Sequence, residues 1–89
     1  MPSIALYAAT GNELGAIQAA AGRLEGIDLV ARTRRDLEEP GAVGEFLDAG
    51  ADATAAVLSL HGGPGSMPGY ERAVERLRDA GVPLVVTST

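Results

Sequence analysis

The chain has 89 residues, 46% of them hydrophobic and 21% charged, and its twelve acids against seven arginines leave a net charge of −5. This is the composition of one small globular domain over residues 1–89, and with only Tyr7, Phe46 and Tyr70 as aromatics the core falls to Ala, Val, Leu and Ile. The absence of cysteine excludes disulfides, thiolate metal sites and a cysteine nucleophile, and an acidic chain without a basic patch lacks the phosphate neutralisation that nucleic-acid binding rests on.

The start, MPSIALYAAT, has no basic n-region, and the first arginine is Arg23, so no signal peptide is read. No apolar run approaches the roughly 20 residues that span a bilayer. The expectation is a soluble, cytoplasmic chain with no membrane partner. Residues 3–9, SIALYAA, form a nearly continuous apolar strand that ends at TGN. Residues 12–24 follow with Leu14, Ile17, Ala21 and Leu24 at spacings of 3, 4 and 3, one face of a helix. Thr10 or Asn12 caps its start, Glu13 sits well in the first turn, and Gly26 ends it. Residues 27–33, IDLVART, are a second and more polar strand, nearer a sheet edge.

Residues 34–52, RRDLEEPGAVGEFLDAGAD, are the least regular part. Pro40 suits a first helical turn, and Val43, Phe46 and Leu47 give a short apolar face before Gly50. Interior glycines at 41 and 44 would weaken that helix by about 1 kcal/mol each. Residues 54–60, TAAVLSL, are apolar on both faces and so a central strand. Next comes HGGPGSMPG, a glycine turn in which Ser66 or Met67 starts a helix with Pro68 in its first turn. Residues 70–81, YERAVERLRDAG, are amphipathic, with Tyr70, Ala73, Val74 and Leu77 inward and opposite charges paired as Arg72 with Glu75 and Glu75 with Arg78. Gly81 stops this helix, and residues 82–88, VPLVVTS, are a fourth strand.

The alternation β-α-β-α-β-α-β predicts an α/β fold: four parallel strands, right-handed crossovers, and three helices distributed over both faces. With the strand order 2-1-3-4, strands 1 and 3 are neighbours and a crevice opens at their carboxyl ends. Its candidate ligand-contacting residues are Asn12, Glu13, His61, Gly62 and Gly63, with residues 87–89 at the flank. No helix follows the fourth strand to complete the sheet's cover, so the domain is expected to be truncated, the front of a longer subunit.

Three chemistries compete for this crevice. LHGGPG resembles the oxyanion-hole segment of proline iminopeptidases and related α/β-hydrolases, but no G-x-S-x-G elbow is present and His61 is the sole histidine, so no triad can assemble. ATGNE resembles the flavodoxin phosphate loop at Thr10, Gly11 and Asn12. Ala8 and Glu13 replace its flanking hydroxyl residues, and a carboxylate repels phosphate. One histidine with Glu13 falls short of the three or four ligands of a zinc site, so no metal site is assigned. No Walker A pattern occurs, and no catalytic residue is assigned.

A longer resemblance covers nearly the whole chain. TGNELG after the first strand, LHGGPGSMPGY after the third and LRDAGVPLVV running from the last helix into the fourth, in that order, resemble the amino-terminal segment of the cobaltochelatase large subunit (CobN type), related to the magnesium-chelatase H subunit. The resemblance implies a flavodoxin-like three-layer α/β/α domain. It also implies a role in inserting cobalt into a corrin precursor, hydrogenobyrinic acid a,c-diamide, for cobalamin synthesis. The ATP would be hydrolysed by separate AAA+ partner subunits, with no cofactor bound by this segment. The family's chain is several-fold longer, and the central body expected to hold most contacts to metal and macrocycle has no counterpart in these 89 residues, so the domain alone is expected to be inactive. The alternatives are a stand-alone flavodoxin-like binding or interaction domain and, on HGGPG alone, a fragment of an α/β-hydrolase.

Overall fold

A computed structural model describes residues 2–23 and 26–88. Four strands, β1 (Ser3–Ala8), β2 (Asp28–Thr33), β3 (Ala55–Leu60) and β4 (Leu84–Ser88), form one all-parallel sheet in the order β2-β1-β3-β4, as the alternation predicts. Among the described residues four helices connect them: α1 (Gly11–Ala21), α2 (Arg34–Leu37), α3 (Ala42–Ala51) and α4 (Tyr70–Asp79). None is long and apolar enough to cross a membrane.

The fold corrects the three-helix expectation by one short helix. The Thr33 hydroxyl accepts from the Asp36 amide at 3.3 Å, and the Asp36 carboxylate accepts from the Thr33 amide at 2.8 Å. This reciprocal capping box winds TRRDL into the single turn of α2. The next helix accordingly starts late. Pro40 lies in the turn before it, Gly41 precedes α3 at φ 80°, and the helix runs through Gly50 to Ala51. The turn after β3 also differs. Pro64–Ser66 make a short 3₁₀ turn, and α4 begins at Tyr70 behind Gly69, not at Ser66 or Met67.

The period of two along each strand sorts the sheet into two unequal faces. Ala5, Tyr7, Ala56, Leu58 and Leu60 point to one side, where they close on Phe46 and Leu47 of α3, Ala73 and Leu77 of α4, Leu37 of α2, and Met67. That is the core. Ile4, Leu6, Leu29 and Val57 point to the other side, where Ile17, Ala20 and Ala21 of α1 flank an apolar hollow of about 270 Å³. The predicted α1 face of Leu14, Ile17 and Ala21 is the half-buried one, although no residue of this helix is fully buried; Leu24 lies outside the described residues. In α4, Ala73 and Leu77 are buried with Tyr70 and Val74 packed beside them, as the amphipathic pattern requires. The ion pairs among the described residues are Arg34 with Glu38 and Arg76 with Asp48, in place of the expected pairs within α4.

Candidate functional site

The register Ala8↔Ser59 makes the carboxyl ends of β1 and β3 neighbours, and Ser59↔Thr87 adds β4. The turns leaving β1 and β3 therefore rise side by side, where a doubly wound sheet places its ligand crevice. Thr10 caps α1, its hydroxyl accepting from the Glu13 amide at 3.2 Å. Asn12 is exposed in the first helical turn, and Glu13 is half-buried beside it. His61 stands exposed just past β3, with Gly62 and Gly63 following at φ 91° and 96°. All five candidate residues thus lie at the same end of the sheet.

The floor of the crevice is polar. Ser59 is only 8% exposed, and its hydroxyl donates to Glu13 Oε1. Thr87 Oγ1 donates in turn to Ser59 Oγ at 3.3 Å. Three elements, α1, β3 and β4, are linked by one chain of side-chain hydrogen bonds ending on a carboxylate. Such a chain can orient a hydroxyl, or receive a proton at Glu13. It is not the Ser-His-Asp arrangement, since no imidazole stands between the hydroxyl and the carboxylate. Sequence reasoning placed Thr87 only at the flank and passed over Ser59. The signal available was a lone hydroxyl near the end of an otherwise apolar strand.

The glycine turn is held from below. Tyr7, fully buried in the core, donates its phenol to the Ser66 carbonyl at 2.7 Å. The Ser66 hydroxyl donates to the Gly63 carbonyl at 2.7 Å and accepts from the His61 amide at 3.3 Å. Burial raises the Tyr7 phenol above its ordinary value, an effect that the charge of Arg34 opposes and that of Glu38 reinforces. The turn is therefore a preformed structure anchored on β1 and owes its shape to Ser66 as much as to its glycines. Among the described residues, no three His, Cys, Asp or Glu side chains are grouped as a metal would need.

Comparison with protein-family models, curated proteins and solved structures finds no match for this chain.

Proposed function

We propose that the chain acts as the amino-terminal domain of a cobaltochelatase large subunit, a cytoplasmic, non-catalytic part of the machine that inserts cobalt into a corrin precursor. The observation that carries the reading is the order of the three motifs along the fold. TGNELG opens α1, LHGGPGSMPGY joins β3 to α4, and LRDAGVPLVV turns α4 into β4. Two of the three motifs frame the crevice.

A chelatase has to distort and desolvate a macrocycle, strip water from the metal and take up two pyrrole protons. Glu13, engaged by Ser59, and the exposed His61 are the crevice groups able to accept protons. Among the described residues neither belongs to a group of three His, Cys, Asp or Glu side chains; the reading assigns deprotonation and metal contact to the rest of the large subunit, and ATP hydrolysis to the AAA+ partners. Glu13, Asn12, His61, Gly62 and Gly63 are then a surface against which the macrocycle or the subunit body rests.

The test is reconstitution. A large subunit lacking the corresponding front segment is combined with its AAA+ partners, ATP, Co²⁺ and hydrogenobyrinic acid a,c-diamide, with and without this chain. Cobalt insertion, followed by the corrin absorption spectrum, is expected to recover when the chain is added. It should recover equally with Glu13→Gln or His61→Ala. A folded chain that restores nothing overturns the proposal. If the chain alone changed the spectrum of corrin and Co²⁺, the chemistry would belong in its crevice and the non-catalytic assignment would fall.

A further inference from the structure

The sheet has two edges, and they are finished differently. The Asp28 amide donates to the Pro2 carbonyl, so in a parallel ladder the main-chain groups of Asp28, Val30 and Arg32 face β1, while those of Leu29, Ala31 and Thr33 face outward. Two of these outward groups are capped by side chains of the same region. Arg32 Nη1 donates to the Ala31 carbonyl at 2.7 Å, and the Thr33 amide donates to Asp36 Oδ2 at 2.8 Å. Together with the charges of Asp28 and Arg32, this closes β2 to further strands in the way that natural sheets protect an edge.

β4 carries none of these devices. The Pro83 carbonyl accepts from the Ala56 amide at 2.9 Å, so Pro83, Val85 and Thr87 face β3, and Leu84, Val86 and Ser88 present their amides and carbonyls outward. Pro83 therefore does not blunt the outer edge. The strand LVVTS has no charge, and Val85 and Val86 are 55% and 41% exposed, the large exposed hydrophobics of the molecule among the described residues. No side chain among the described residues hydrogen-bonds to the outward groups of Leu84 or Val86.

The charge distribution favours a second copy as occupant. Nine of the twelve acids and four of the seven arginines precede residue 69, so the whole net charge of −5 lies there. From residue 69 onward Arg72, Arg76 and Arg78 balance Glu71, Glu75 and Asp79. Two copies meeting along β4 bring together uncharged strands, each reached from a charge-balanced α4, so no net charge opposes their approach.

We propose that two copies of this chain pair antiparallel along β4 about a twofold axis through Val86, forming one continuous eight-stranded sheet. The register is self-consistent. Val86 faces its own counterpart in a hydrogen-bonded pair, and Leu84 faces Ser88 of the other copy, so the outward groups of each strand meet those of its mate. Val85 falls opposite Thr87 on the α1 side of the sheet, and no like charges oppose. The pairing does not rest on the chelatase reading, and its test uses only this chain, so its failure is distinguishable from a failed reconstitution.

Sedimentation equilibrium is expected to give twice the 9.0 kDa chain mass, and Val86→Lys is expected to return it to the monomer with its circular dichroism unchanged. The native chain has no cysteine, which makes a gentler variant decisive. In Val86→Cys the two sulfur-bearing residues sit across the axis, about 5.5 Å between Cα atoms, within reach of a disulfide. Oxidation should then link nearly all of the protein into dimers, whereas Val85→Cys, set off from its own counterpart by two residues along the strand, should link little. A wild-type chain that stays monomeric to its solubility limit, a dimer that survives Val86→Lys, or equal cross-linking of the two cysteine variants each overturns the pairing.

Discussion

Tyr7 joins the core to the crevice turn with one atom. Its ring is fully buried, and its hydroxyl is the donor to the Ser66 carbonyl beneath that turn. Tyr7→Phe keeps the packing and leaves a buried carbonyl unpaired, a loss of about 1–2 kcal/mol. Chemical denaturation at neutral pH measures it. The pH dependence has a definite sign. Because the folded phenol is raised above its ordinary value of 10.0, the unfolded chain loses this proton first. The stabilisation is complete below pH 10 and declines as pH rises through the folded value. The gap between wild type and Tyr7→Phe should therefore narrow in alkali, and a gap that widened would contradict the burial assigned to this group. Gly69 is the second sensitive residue. It sits at φ 72°, and a Cβ there would meet Val43 Cγ1 at 2.6 Å. Gly69→Ala combines the left-handed penalty, about 1–2 kcal/mol, with that clash. Gly62→Ala, at φ 91° in open space, carries the first term alone. Val43→Ala should partly rescue Gly69→Ala and leave Gly62→Ala unaffected, which a double-mutant cycle resolves.

Among the elements, α2 owes the most to a single local device. The Asp36 carboxyl is held below its ordinary 3.8, first by the Thr33 amide and then by the Thr33 hydroxyl. The stability it adds is present above that ordinary value and fades as pH falls through the lowered one. It is small, because the carboxylate is exposed. Asp36→Asn removes the titration, so the stability difference between wild type and variant should shrink below about pH 4, and a difference constant across that range would mean the box does not form. The spacing of Thr33 and Asp36 makes this box legible in the sequence, but the apolar periodicity of the region lies at Phe46 and Leu47, one helix later. The strands and their order were legible for a general reason: buried parallel strands read as apolar runs, and short βα turns restrict how they can be joined. The starts of α3 and α4 were not, since each follows a left-handed glycine, Gly41 or Gly69, in a region with several glycines that could have served. The crevice was legible as a place. Its floor was not, because the contact of Glu13 with Ser59 and of Ser59 with Thr87 depends on the register of three strands, which no single strand's pattern specifies.

At the scale of the whole molecule, the two faces of the sheet are unequally covered, and stability should be divided accordingly. One face closes on α3 and α4 with Phe46, Leu47, Ala73 and Leu77 all buried; the other is covered by α1, which has no buried residue and holds Gly15 in its interior. An interior glycine costs a helix about 1 kcal/mol relative to alanine. A domain of this size has about 5–13 kcal/mol of total stability, and amides exchange through local openings wherever fewer apolar contacts resist them. Truncating Leu77 to alanine removes a fully buried side chain and should cost about 2–5 kcal/mol, a large part of the whole. Truncating the half-buried Ile17 should cost about 1–2 kcal/mol, because much of that side chain already meets water. Native-state hydrogen exchange should then show the α1 amides exchanging through a local opening of lower free energy than those of β1 and β3. Ile17→Ala should lower that local protection more than it lowers the global unfolding free energy. Equal protection of α1 and the central strands, or equal losses for the two truncations, would mean that the α1 face is as tightly bound into the core as the face under α3 and α4.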